Sequence, residues 1–106
     1  MRRVVIVDGA EKHALELLGR RLRHARLRRN LSQEHMAERA GVTRKTYLAL
    51  EAGETTSSLA LLARALTILG YGDRLAELLA SDPIGEDTEE VSGRKRAGRR
   101  DDVADF

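Results

Sequence analysis

The residues best suited to chemistry in this 106-residue chain lie in a short segment that ends at Gly53. Tyr47, Leu50 and Glu51 are spaced to share one side of a helix, which leaves the donors of its first turn on the other side. Two of those donors are cations, which oppose the helix dipole at a helix start, so a phosphate-lined groove would supply their counter-charge. Arginine and lysine bond guanine N7 and O6, and a small alanine fits against a thymine methyl group. The side chains of Arg44, Lys45 and Ala49 therefore have the chemistry to meet DNA base edges.

Two opposite charges are expected on the apolar faces of different helices. Glu51 lies on the apolar side of its helix, and Arg26 follows Leu15 by eleven residues, or about three helical turns. Arg26 therefore falls on the apolar stripe of the preceding long helix. Since the planar guanidinium fork suits a carboxylate, the two residues are predicted to form a structural ion pair. The alternative is that each side chain reaches solvent by itself.

The sequence offers no set of residues for catalysis or metal binding. It contains no cysteine, which excludes disulfides and thiolate ligands and fits a cytoplasmic protein. His13, His24 and His35 lie far apart on expected solvent faces, and there is no glycine-rich phosphate loop. No apolar run approaches the roughly 20 residues that span a bilayer. We therefore predict no enzymatic activity, no cofactor, no bound metal and no membrane partner.

The charge of the chain is unevenly distributed. The net charge is +2, but residues 1–53 carry +6 and residues 54–106 carry −4. Six arginines and no acid lie between Arg20 and Arg29. Such a cluster is typical of a surface that meets a polyanion, either nucleic acid or a membrane surface. A solvated arginine-rich helix is the alternative.

Composition and periodicity predict an all-α fold. Helix-forming residues dominate, there is a single proline, and the few aromatic residues leave a small aliphatic core. Apolar residues recur at steps of three or four in five segments, over about residues 11–29, 33–40, 44–52, 57–69 and 73–80. Ser32 and Thr43 are predicted N-caps of the second and third helices, and Thr56 or Ser57 of the fourth. The tight turn between the second and third helices makes a helix-turn-helix geometry possible.

The two ends of the chain differ from the helical segments. The β-branched run Val4–Val7 predicts a short strand or arm, and a strand there would have to pair with its copy in a dimer. After the last helix the chain has almost no large apolar residue, which predicts a mobile tail. The tail cations of Arg94–Arg100 either follow a DNA backbone or are simply solvated. The predicted organisation is an arm over 1–10, a helix-turn-helix domain over 11–82 and a disordered charged tail over 83–106.

The segment Leu18–Gly53, LGRRLRHARLRRNLSQEHMAERAGVTRKTYLALEAG, resembles the Cro/C1-type, or Xre, helix-turn-helix family. The matching features are Leu22, the Arg26 and Glu51 pair, Leu31, Ser32-Gln33, Ala37, Ala40-Gly41-Val42, Thr43, Leu50 and Gly53. The resemblance implies a five-helix lambda-repressor-like domain and a transcriptional repressor that binds double-stranded DNA sequence-specifically. It implies contacts to DNA base edges by Arg44, Lys45 and Ala49, and a contact by Thr46 to a base edge or a phosphate. It implies DNA phosphate contacts by Gln33, Thr43, Thr56 and Ser57. The last two replace the cations that the loop often carries.

Residues 58–84, SLALLARALTILGYGDRLAELLASDPI, followed by GRKRAGRR, are similar to HipB-like regulators, the antitoxins encoded beside HipA-type serine/threonine kinases. This resemblance implies a HipA-type kinase toxin as a partner and repression of the shared operon. Two alternatives stay open. One is a stand-alone Xre-type regulator without a toxin, and the other is a protein-interaction module in which DNA binding is secondary.

A homodimer is expected from the apolar residues that a small core leaves over. Leu75, Leu78 and Leu79 would share one face of the predicted last helix and are the predicted dimer interface. A two-fold dimer would place two reading helices about 34 Å apart, one DNA turn, so the operator is predicted to be palindromic.

Overall fold

A computed structural model of the chain describes residues 5–92. Within this range the chain forms five α-helices, one 3-10 helix and no strand, which confirms the all-α class. The elements are α1 (Gly9–Arg28), α2 (Gln33–Ala40), α3 (Arg44–Glu51), α4 (Leu59–Leu69), the 3-10 helix Leu75–Glu77 and α5 (Pro83–Ser92). None of these helices is long and apolar enough to cross a membrane.

The chain divides into two compact units after Leu75. The first unit contains α1 to α4, and the second contains α5. The first unit carries every predicted DNA-contacting residue and both members of the predicted ion pair.

Residues 5–8, which precede α1, lie in no helix or strand. Val5 and Ile6 are exposed, at 77% and 91%, and no neighbouring strand within residues 5–92 accepts their backbone hydrogen bonds. Val4 lies outside the described residues, and the pairing of Val4–Val7 with its copy in a dimer stays a prediction. α1 begins where Asp8 accepts a hydrogen bond from the Glu11 amide at 2.8 Å and Glu11 returns one to the Asp8 amide. This reciprocal capping box defines the helix start.

Short polar side chains begin the next three helices. Ser32 caps α2, Thr43 caps α3 and Ser58 caps α4, each accepting a hydrogen bond from the amide three residues on. The prediction of the α4 cap at Thr56 or Ser57 is therefore wrong by one or two residues. α2 ends at Gly41, whose left-handed conformation is open to glycine at little steric cost.

The core is small and almost entirely aliphatic. Tyr47 of α3 and Met36 of α2 have no exposed surface and lie at its centre. The buried apolar residues are Leu22, Met36, Ala37, Tyr47, Leu50, Leu61, Ala65 and Leu69. They come from α1, α2, α3 and α4, and α3 contacts each of the other three helices. Burial of one side of α3 leaves its other side free to meet a ligand.

The segment after α4 differs from the prediction. Residues 73–80, predicted as an α-helix, form turns around the short 3-10 helix, so that prediction is wrong. Leu79 adopts a positive φ of 64°, which a helix does not allow and which leucine rarely adopts. Leu75 is half-buried, while Leu78 and Leu79 are 69% and 83% exposed. The predicted dimer interface at these three leucines thus has no α-helical face to carry it.

α5 occupies the first part of the segment assigned to the tail. Asp82 accepts a hydrogen bond from the Gly85 amide at 2.9 Å, and Pro83 is the first helical residue. An aspartate cap followed by proline favours a helix start, since proline lacks the amide that would be unpaired there. The prediction from sequence instead placed the end of the folded part at this dipeptide. The tail cations of Arg94–Arg100 lie outside the described residues.

Candidate functional site

The two sides of α3 have different environments. Tyr47, Leu50 and Glu51 are buried against the rest of the first unit. The predicted base contacts lie on the remaining surface: Arg44, Lys45 and Thr46 are exposed and Ala49 is half-buried. α3 therefore presents two cations and a hydroxyl to solvent from a helix whose opposite side is packed into the core.

An ion pair joins α3 to α1 inside the domain. The Arg26 Nε atom donates to Oε2 of Glu51 at 2.7 Å, and a guanidinium Nη atom donates to Oε1 at 3.1 Å. The other Nη atom donates to the backbone carbonyl of Leu31 at 2.8 Å. Both charged side chains are almost fully buried, so the three hydrogen bonds offset the loss of hydration. The pair fixes the C-terminal end of α3 against α1 and against the turn that leads to α2.

The Gln33 side chain contacts this ion pair. Its amide nitrogen donates to Oε1 of Glu51 at 3.3 Å, and the residue is half-buried. A phosphate contact by Gln33 would therefore use its backbone amide, its second amide hydrogen, or a reoriented side chain. The hydrogen bond connects the first turn of α2 directly to the end of α3.

The ion pair keeps both of its members charged. Burial is the largest effect on Glu51 and acts to raise its pKa, but Arg26, Tyr47 and Gln33 together outweigh it. The pKa of the Glu51 carboxyl consequently lies below its usual range. The hydrogen bond to Glu51 raises the pKa of Arg26 above its already high value. Glu51 is thus ionised at neutral pH although it is buried.

The hydroxyl of Tyr47 lies buried near the ion pair. It has no hydrogen-bond partner of acceptable geometry within residues 5–92. Burial, and then the neighbouring Glu51 carboxylate, raise the pKa of Tyr47 above its usual value. Tyr47 therefore stays neutral and fills the centre of the core mainly through its ring.

Two glycines let α1 approach the end of α3. A β-carbon at Gly19 would overlap the backbone carbonyl of Glu51, and one at Gly53 would lie 2.7 Å from the backbone of Glu16. Gly53 also has a positive φ of 74°. No role was predicted for Gly19 from the sequence. Its position one turn before Leu22, on the apolar stripe of α1, was the available signal.

The first turn of α3 is braced by two threonines. The Thr43 hydroxyl oxygen accepts from the Thr46 amide at 3.2 Å, and the two hydroxyl groups are hydrogen-bonded at 2.9 Å. Both side chains are exposed. They can therefore be reached by a phosphate or a base edge, and Thr43 already serves as the cap.

A shallow concavity runs beside the exposed face of α3. It is lined by Lys45, Thr46, Leu48, Ala49, Ala52, Glu54, Thr56, Ser57 and Ser58. Thr56 is exposed there, whereas the Ser57 hydroxyl oxygen is buried without a hydrogen-bond partner in the described chain. A phosphate contact by Ser57 would require its backbone amide or a movement of the loop. Leu48 and Glu54, which no prediction named, are also part of this surface.

Residues 5–92 contain no group of three or more histidine, cysteine or acidic side chains that could bind a metal. His13, His24 and His35 are all exposed. The exposed side of α3 offers hydrogen-bond donors and small side chains on one helix, an arrangement that suits binding.

Comparison with known families adds to this geometry. Residues 17–79, more than half of the chain, match a family model described as a helix-turn-helix domain. No curated protein matches the chain. The matched region begins within α1 and includes α2, α3 and α4, so it contains the buried ion pair and the exposed face of α3.

Proposed function

Because the chain belongs to a helix-turn-helix domain family, we propose that it is a sequence-specific double-stranded DNA-binding transcriptional repressor. The observation that carries the proposal is the division of α3. Its buried side is fixed by Tyr47, Leu50 and the Arg26–Glu51 pair, and its exposed side offers Arg44 and Lys45. A rigid helix with donors on one side is the element that enters a DNA major groove.

Each predicted contact has a chemical role in this proposal. Arg44 and Lys45 donate to guanine edges, Thr46 to a base edge or a phosphate, and Ala49 meets a thymine methyl group. Thr43 and the amides at the start of α2, beside Gln33, bind the DNA backbone. Phosphate contacts from Thr56 and Ser57 use hydroxyl or amide groups rather than cations. We propose that the protein has no enzymatic activity. We also propose a cytoplasmic location, in keeping with the DNA-binding role.

The repressor is proposed to act as a homodimer on a palindromic operator. Symmetric pairing of two reading helices doubles the contacts and sets a half-site spacing of about 34 Å. Exposed apolar residues support an interface, although the leucines predicted for it do not share an α-helix. Light scattering is expected to give the mass of two chains at micromolar concentration, and a monomer would contradict this part of the proposal.

The finer proposal is that the chain is the antitoxin of a HipA-type kinase and represses the operon of the pair. The similarity of residues 58–84 to HipB-like regulators supports it. The decisive observation is the neighbouring gene, which should encode such a kinase. The purified kinase should lose autophosphorylation when this chain is added in equimolar amount. Full kinase activity in the presence of the chain would favour a stand-alone regulator.

The DNA-binding proposal is tested by measuring the affinity for duplex DNA at several salt concentrations. The protein should bind a labelled mixed-sequence duplex, and the logarithm of the association constant should fall steeply with the logarithm of the salt concentration, because each phosphate contact releases counterions. Selection from a randomised duplex pool should then enrich one sequence pattern. A chain that acts only as a protein-interaction module would show neither the salt dependence nor the enrichment.

A further inference from the structure

The side chains of Arg29 and Arg74 both lie near the ring of Tyr71, and none of the three residues belongs to the site described above. The Arg74 guanidinium carbon lies 4.3 Å from the centre of the Tyr71 ring, and that of Arg29 lies 5.7 Å from it. Both distances are within the roughly 6 Å range of a cation–π interaction. All three residues are exposed and belong to the first compact unit. We call this group the Tyr71 clamp.

The charge of the clamp is not neutralised within the described chain. Neither guanidinium has a carboxylate within ion-pair distance in residues 5–92. Arg29 donates one hydrogen bond to the Ala25 carbonyl at 2.7 Å, which leaves most of its donors free. Two like charges on one ring repel each other in the absence of a ligand. A polyanion that contacts both guanidinium groups would relieve that repulsion and use the free donors.

The clamp lies close to the proposed DNA-binding end of α2. Arg29 lies only three positions before the N-cap Ser32, a reach of at most about 11 Å. Each strand of duplex DNA carries one phosphate per about 3.4 Å of helix axis. A strand that contacts the first turn of α2 therefore carries further phosphates within reach of Arg29. Tyr71 and Arg74 extend the same contact from the segment after α4.

We propose that Arg29, Tyr71 and Arg74 form a second DNA-backbone site that binds phosphates flanking the sequence read by α3. This inference rests on the proposed function. The ring of Tyr71 restricts the two guanidinium groups, so that less side-chain freedom is lost when the backbone binds. The site adds affinity without reading sequence.

The test measures the salt dependence of binding to a labelled mixed-sequence duplex. The variants are Arg29→Gln, Arg74→Gln and the double variant, with Arg20→Gln as the matched control. Arg20 is exposed and lies nine positions before Arg29, on the opposite side of α1. The slope of log K against log salt should become less steep by about 0.9 for each phosphate that a variant no longer neutralises, and Arg20→Gln should leave it unchanged. Tyr71→Phe should behave as the unmodified protein, and Tyr71→Ala should weaken binding.

An unchanged slope in the double variant would overturn the proposal, as would an equal change in Arg20→Gln. Weaker binding of the double variant to anionic lipid vesicles, with unchanged DNA binding, would also overturn it, in favour of a membrane surface. Thermal melting of each variant checks that the fold is retained. If the unmodified protein itself shows no salt-dependent duplex binding, the proposed function fails, and that result is distinct from a failure of the clamp alone.

Discussion

The α-carbon of Gly19 faces the backbone carbonyl of Glu51 so closely that a β-carbon at Gly19 would overlap it. The helix that carries the exposed cations is therefore positioned by direct backbone contact as well as by side chains. The same end of α3 is bonded to Arg26. Rigid support of this kind is what a binding helix needs to present its donors in fixed positions.

We expect Gly19→Ala to destabilise the domain by roughly 1–3 kcal/mol, because α1 and α3 must separate to admit the methyl group. Gly9→Ala is the matched control, since nothing lies within 4 Å of a β-carbon built there. Urea denaturation gives the free energy of unfolding of both variants and of the unmodified protein. Equal stability of Gly19→Ala and the unmodified protein would show that the two helices can separate at no cost.

The Arg26–Glu51 pair gives a second prediction. Arg26→Met or Glu51→Leu alone should cost roughly 3–5 kcal/mol, because each leaves a buried charge without its partner. The double variant Arg26→Met/Glu51→Leu should recover most of that loss, since no buried charge remains. Denaturation of the three variants gives the coupling free energy. Additive losses would mean that the two residues act independently.

Acid should weaken the pair. The pKa of Glu51 is lowered in the folded protein, so its contribution to stability is present above the unfolded value of about 4.3 and is lost as the pH falls through the lower folded value. The difference in unfolding free energy between the unmodified protein and Glu51→Gln should therefore narrow as the pH is lowered below about 4. A difference that stays constant across this range would contradict the lowered pKa.

Tyr47→Phe removes a buried hydroxyl that has no hydrogen-bond partner of acceptable geometry. The variant should be as stable as the unmodified protein or more stable, by up to roughly 1–3 kcal/mol, since the hydroxyl is desolvated and only its electrostatic interaction with the Glu51 carboxylate offsets that cost. Because the folded pKa of Tyr47 is raised, the unmodified protein should lose stability relative to the variant above the unfolded value of about 10. Destabilisation of Tyr47→Phe at neutral pH would assign the hydroxyl a structural hydrogen bond.

Much of this site can be predicted from periodicity alone. Arg26 and Glu51 both fall on apolar stripes, and a buried charge requires a partner, so the spacing already indicates the pair. The exposed position of Arg44 also follows from the spacing, because Tyr47, Leu50 and Glu51 occupy the buried side of α3. Gly19 is harder to identify, because a close approach of two backbones leaves no signal beyond the small residue itself.

The segment after α4 shows where periodicity is insufficient. Leu75, Leu78 and Leu79 have helical spacing, but eight residues between glycine-rich turns and a proline gain little from local propensity. Leu78 and Leu79 are mostly exposed, so no packed face adds to that weak propensity, and the segment forms turns instead of an α-helix. α5 was missed for the opposite reason. Its start signal, Asp82-Pro83, was visible, while its acidic composition is also typical of a tail.

The exposed face of α3 is proposed to read DNA, and removing the Arg44 side chain is a direct test of that role. The measurement is the affinity of Arg44→Ala for the duplex selected by the unmodified protein, with Arg20→Ala as the control for loss of one exposed cation. We expect a loss of roughly 1–3 kcal/mol in binding free energy, or about 5- to 150-fold in Kd, with relaxed preference at one base pair. Unchanged affinity and unchanged sequence preference in Arg44→Ala would contradict the claim.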